Sequence, residues 1–280
     1  MITNVPTAEE YRKTGTDLLN LAWGQITDLS ETLALSDTDS NAEENREKTQ
    51  ERHTLFWQAA NQKVANCIVI VQQATEFLLT AKIAAVSPYL LIANDPRDWP
   101  KGNKTDNTID FSHFRTLDAI HLPRICDAVS QDRLQAEFHK HYEDLRGQRN
   151  SVMHLTGRSP VQGLEIYKII LKSFKYLSPT ESHSWFQERK RYSESDEHSV
   201  LGSDDSQWAI IREALRLIDY LGPAECIDLL GCRIRSQLPL RPCLIAPIRQ
   251  IICTRYTSEF ENGCRSRHLN CALVVVTPTC

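Results

Sequence analysis

Arg149, Asn150 and His154 place a permanent cation, a carboxamide and an imidazole in one short run, Arg149-Asn150-Ser151-Val152-Met153-His154. These are the groups that hold a phosphodiester and move protons around it. An Arg guanidinium presents a planar fork of donors that suits phosphate oxygens. An imidazole titrates near neutral pH and serves as general base or general acid.

On a helix turning about 100° per residue, Asn150 and His154 are i,i+4 neighbours, so the amide can reach the imidazole. Arg146 lies one turn earlier on the same stripe and Tyr142 one turn before that. Leu134, Phe138, Leu145 and Val152 fall on the other side, as a core face. An Arg followed by a His at similar spacing also occurs at Arg115 and His121 and at Arg133 and His139, so spacing alone is weak. The third match differs in that Asn follows the Arg directly and the intervening residues are small or apolar.

Arg149-Asn150-x-x-x-His154 resembles the signature of HEPN domains, all-helical nucleotide-binding domains of prokaryotic toxins and defence proteins. RNA-guided CRISPR effectors and some abortive-infection proteins carry related copies. A second resemblance lies in Val71-Gln72-Gln73-Ala74-Thr75-Glu76-Phe77-Leu78-Leu79, an early helix with a polar or acidic residue facing the site. The resemblance covers about residues 50–180. It implies a metal-independent endoribonuclease, built as a homodimer, with no cofactor. It gives Arg149, Asn150 and His154 catalytic roles, with Glu76, Arg146 and Tyr142 supporting.

Gln72 and Glu76 share a face of a helix that is otherwise apolar. A carboxylate there needs a partner if buried. Glu76 therefore either pairs with Arg149 and orients the site, or reaches solvent. His139 and His141, near Glu137 and Glu143, are i,i+2 and point to different faces, which predicts a solvated helix surface rather than a metal site.

A chain of 280 residues suits one or two domains with a sizeable core. Its net charge of −4 gives no overall nucleic-acid signature, so any RNA surface must be local. No apolar leader follows Met1, and the apolar runs look too short or interrupted to span a bilayer. A cytoplasmic protein with no membrane partner is expected, its cysteines thiols or ligands rather than disulfides.

Helical signals dominate. Thr7-Ala8-Glu9-Glu10 reads as a capping box opening an amphipathic helix to about Leu33, followed by an acidic, aperiodic stretch at 36–50. A long, nearly all-apolar helix runs from about Arg52 to Val86, where Ser87-Pro88 ends it. Residues 93–112 read as a long loop. Helices follow at about 113–129 and 131–156, and from Ser159-Pro160 to about Leu177. Residues 179–205 read as a linker, and Ser206 caps a helix ended by Gly222-Pro223.

Seven of the nine cysteines lie at or beyond Cys226. No Cys-x-x-Cys pair occurs, and the weak zinc candidates are Cys264, His268 and Cys271. Seven arginines from Arg233 onward could touch phosphates, while a poorly ordered tail is the competing reading.

The expected architecture is all-α: an N-terminal helical extension with acidic linker (1–50), a HEPN-like antiparallel helical bundle (51–178), a linker (179–205), and a Cys/Arg-rich C-terminal region of unsettled order (206–280). The expected function is an endoribonuclease of the toxin or antiviral-defence kind, acting on RNA as a homodimer, with an antitoxin or defence-system protein as possible partner. The alternative is a non-catalytic nucleotide- or RNA-binding, or protein-interaction, helical module.

Overall fold

The capping box at the start of the chain forms: Thr7 N–H donates to Glu10 Oε2 at 2.7 Å and Glu10 N–H donates to Thr7 Oγ1 at 3.2 Å. It opens helix α1, Ala8–Thr38. A computed structural model of the chain describes residues 1–38, 46–93, 97, 99–102, 107–154, 161–178, 184–195 and 206–230. The candidates Cys264, His268 and Cys271 lie outside them.

Seven further α-helices follow among the described residues: α2 (Arg46–Val86), α3 (Leu122–Val129), α4 (Ala136–His154), α5 (Glu165–Leu177), α6 (Trp185–Ser193), α7 (Ser206–Leu221) and α8 (Pro223–Leu230). The chain divides into two compact units, Met1–Leu177 and Ser178–Cys280.

In the first unit, α1 buries Leu19, Ala22, Trp23, Ile26, Leu29 and Leu33, a stripe of helical period, against α2. The expected extension is therefore part of the bundle. The two helices meet closely where Gly15 faces α2: a Cβ there would lie 2.8 Å from Leu78 Cγ and 3.0 Å from the Ala74 carbonyl oxygen.

The middle of α2 is buried over a wide arc, from Val64 and Cys67 through Val71 and Ala74 to Leu79 and Ile83. By length and composition α2 could cross a bilayer, contrary to the sequence reading, because its few polar side chains do not break the apolar run. Its apolar window is 61% buried inside the structure, as for a core helix.

Helix α5 packs Ile166, Tyr167, Ile170, Leu171 and Phe174 into the same core. The Tyr167 ring meets Trp23 edge-on at 4.6 Å, and its hydroxyl lies within hydrogen-bonding distance of Thr27 and Ser30 of α1, at 3.1 and 3.2 Å.

Between α2 and α3 the chain makes short 3-10 turns and one parallel pairing of Ile2–Thr3 with Ile109–Asp110. The expected helix over 113–129 is thus shortened to α3, with Pro123 in its first turn. Asp127 then fastens the corner into α4: one carboxylate oxygen accepts from Leu134 N–H at 2.7 Å and the other pairs with His139 Nε2 at 2.8 Å.

In the second unit, residues 185–193 form α6 within the expected linker. Ser184 and Gln187 make a reciprocal capping box at its start. Arg189 of α6 grips Glu213 of α7 through two hydrogen bonds, 3.2 and 2.8 Å. Gly222, at φ 78°, ends α7 in the left-handed conformation that glycine adopts without strain.

Candidate functional site

Helix α4 carries the motif on its last two turns and ends at His154. Its acidic residues, Glu137, Glu143 and Asp144, precede its two arginines, Arg146 and Arg149. This order places cations toward the negative end of the helix dipole, where they are favoured. Phe138, Tyr142, Leu145 and Val152 face the core, and Asn150, Met153 and His154 are exposed, with Arg146 and Arg149 half-buried.

Tyr142 corrects the sequence reading. The helical wheel sets it on the polar stripe, but it is only 2% exposed. Its hydroxyl donates to the Ala119 carbonyl oxygen at 2.8 Å, tying α4 to the 3-10 turn before α3. Burial pushes its ionisation far up, Glu76 adds to the shift, and Arg146 and a hydrogen bond from Gln72 oppose it. The exposed stripe of α4 therefore begins at Arg146.

Glu76 accepts from Gln72 Nε2 at 2.9 Å. Of the two alternatives for Glu76, the pair with Arg149 does not form among the described residues, and the side chain is half-buried and bonded to Gln72. Gln72 itself is 3% exposed, and its Oε1 is buried without a partner.

Asn150 also departs from expectation. Its Oδ1 accepts from Arg149 Nη1 at 3.2 Å, so the carboxamide is engaged by the cation rather than by the imidazole one turn on.

In each of the two other Arg–His matches one member is held by a carboxylate. Arg115 is paired with Asp118 at 3.0 Å, and His139 with Asp127 at 2.8 Å. Arg149 and Arg146 have no carboxylate partner among the described residues. Two guanidiniums with no carboxylate partner among the described residues, and an exposed imidazole, give the end of α4 donors for an anion, set against the helix dipole, which disfavours one there.

His141 was expected on a solvated surface. It is instead largely enclosed between α4 and α5, with Nε2 2.9 Å from Ser173 Oγ. Burial, and then Lys172, lowers its ionisation to about 4 against the opposing pull of Asp144. Ser173 is in turn hydrogen-bonded to Thr75 of α2 at 3.2 Å. Among the described residues no group of three or more His, Cys, Asp or Glu side chains is arranged to hold a metal ion.

Compared with known protein families, with curated proteins and with solved structures, the chain matches none.

Proposed function

We propose that the protein is a HEPN-type endoribonuclease whose reacting groups are Arg149, Asn150 and His154. The observation that carries this reading is the pair of guanidiniums without carboxylate partners, Arg146 and Arg149, on the helix end that exposes His154. Arg124 and Arg133 also lack carboxylate partners among the described residues, so what sets Arg146 and Arg149 apart is that they share the last turns of one helix with an exposed His154.

In the reaction, an imidazole takes the proton of a ribose 2′-hydroxyl as that oxygen attacks phosphorus. The P–O5′ bond breaks, and a protonated imidazole gives its proton to the leaving 5′-oxygen. The products carry a 2′,3′-cyclic phosphate and a 5′-hydroxyl. Arg149 neutralises the charge that builds on the phosphoryl oxygens, and Asn150, bonded to Arg149, holds the guanidinium in place. One chain brings one such His to the site, whereas acid and base are both needed. A two-fold dimer with both His154 side chains at one cleft supplies the pair. No metal ion takes part. The setting that suits this activity is a cytoplasmic toxin or defence effector, held in check by a partner protein.

A specific observation favours one other reading, a non-catalytic RNA- or protein-binding module: among the described residues, nothing hydrogen-bonds the imidazole of His154 to orient it. Incubating the purified protein with total RNA in EDTA, as wild type and as His154→Ala, separates the two. Cleavage by the first and not the second supports the nuclease. Binding by both with no cleavage supports the module.

A further inference from the structure

Two contacts between α4 and α5 share one antiparallel register. The Phe138 and Tyr176 rings meet at 5.8 Å, and His141 Nε2 lies 2.9 Å from Ser173 Oγ. Three residues forward on α4 correspond to three residues back on α5. Ser151 is ten residues on from His141, and Gly163 is ten residues back from Ser173. A tight turn leads into α5, the amides of Glu165, Ile166 and Tyr167 donating to the carbonyls of Gln162, Gly163 and Leu164 three residues back. Carried ten residues further, the same register would bring Gly163 to the level of Ser151, in the middle of the Arg149–His154 motif.

Gly163 is buried, and Trp57 of α2 covers it. A Cβ on Gly163 would overlap three carbons of the six-membered ring, Cε3, Cζ3 and Cη2. The benzo half of the indole thus lies against a bare Cα, and only glycine permits that approach. Phe56 meets the same indole edge-on at 5.2 Å. Trp57 is only half-buried. Its Nε1–H has no acceptor among the described residues, yet it is not among the buried atoms left without one. A buried indole N–H usually finds a partner, whereas this half-buried ring, braced on a glycine and by a second ring, leaves its polar edge without one among the described residues.

We infer that Trp57 is a specificity-determining residue that stacks a base of the RNA strand next to the phosphate held at Arg149 and His154, an inference that rests on the ribonuclease reading above. Single-stranded RNA is read by stacking unpaired bases on aromatic side chains. Adjacent packed helices lie about 8–10 Å apart, so a strand crossing the end of α4 has a neighbouring base within reach of the indole. Nε1–H adds a donor for that base or its sugar.

The test titrates His154→Ala protein, which leaves substrate uncut, with single-stranded rA8 and rU8 while tryptophan emission is followed. Stacking quenches the indole. Quenching should be present with Trp57, be lost with Trp57→Phe and Trp57→Leu, and be accompanied by about tenfold weaker binding in the Leu variant. Gly163→Ala, whose Cβ displaces the ring without removing it, should also lose the quench. Circular dichroism checks that each variant is folded. In otherwise wild-type protein, Trp57→Phe should change which bases flank the cleaved bonds. A Trp57 that only fills space would lower the melting temperature and leave quench, affinity and base preference alone, and that result overturns the inference. Cleavage by the wild type with no Trp57-dependent quench sinks this inference and spares the nuclease. A Trp57-dependent quench without cleavage sinks the nuclease and keeps the stacking site.

Discussion

His141 Nε2 lies 2.9 Å from Ser173 Oγ, and this contact joins the helix that carries the motif to the helix behind it. Ser173 passes the connection on to Thr75 of α2 at 3.2 Å. Three helices of the first unit therefore meet in one buried polar chain, and its titratable member is eight residues upstream of Arg149. That histidine's contact with Ser173 ties α4 to α5.

The pH dependence of stability follows with a definite sign. His141 is lowered to about 4 by burial and then by Lys172. An unfolded chain takes up this proton near its unperturbed value of about 6.5, and the folded chain resists until about 4. Stability is complete above that window and is lost as pH falls through it, by about 2–3 kcal/mol once the ring's partial exposure is allowed for. Chemical denaturation at pH 7 and pH 4.5 should show the loss, and His141→Phe should flatten it. An unchanged slope in the variant would assign the acid sensitivity to other groups.

Catalysis should fail with either reacting side chain. His154→Ala and Arg149→Ala are each expected to lower RNA cleavage by about 10²-fold or more, with unchanged melting, since neither residue belongs to the core face. His121→Ala should cleave at the wild-type rate. His139→Ala should lose stability through the Asp127 corner and keep its cleavage. Equal losses at His139 and His154 would move the site to the wrong end of α4.

Chelation should leave the reaction running. Cleavage in EDTA should match cleavage in its absence, because Arg149 supplies the charge and His154 the proton transfer. A requirement for added Mg²⁺ or Mn²⁺ would remove this mechanism.

Assembly can be read from mixed subunits. If each cleft needs both His154 side chains, then mixing His154→Ala with Arg149→Ala protein should restore little activity. Sites built from the His of one chain and the Arg of the other should be partly rescued. A protein that is monomeric by light scattering and fully active would exclude a shared cleft.

The local signals of the fold were legible in the sequence. Thr7–Glu10, Ser87-Pro88 and Gly222-Pro223 mark real helix ends, and helices account for most of the described residues. Ser184-x-x-Gln187 held the same kind of signal as Thr7–Glu10, but the Ser-rich surroundings masked it, and α6 was missed. At the site, the wheel ordered Arg146, Arg149, Asn150 and His154 along α4, because that order depends only on helical pitch. It misjudged Tyr142 and His141, whose surroundings come from Ala119 and Ser173 on other elements. Those contacts span 23 and 32 residues, and no local pattern announces them, whereas the Gln72–Glu76 contact is an i,i+4 pair within α2 that the spacing allowed.

Gly15 and Gly24 look alike in the sequence of α1, yet they should tolerate variation in opposite ways. A Cβ at Gly15 meets Leu78 at 2.8 Å, and a Cβ at Gly24 meets nothing within 4 Å. In a saturation library, Gly24 should accept most residues, and alanine there should raise helix stability by about 0.5–1 kcal/mol. Gly15 should stay nearly invariant, with alanine already costing about 1–3 kcal/mol through overpacking against Leu78. A smaller residue at 78 would relieve only part of that cost, because the Ala74 carbonyl oxygen, 3.0 Å from the same Cβ, is backbone and stays whatever side chain stands at 78.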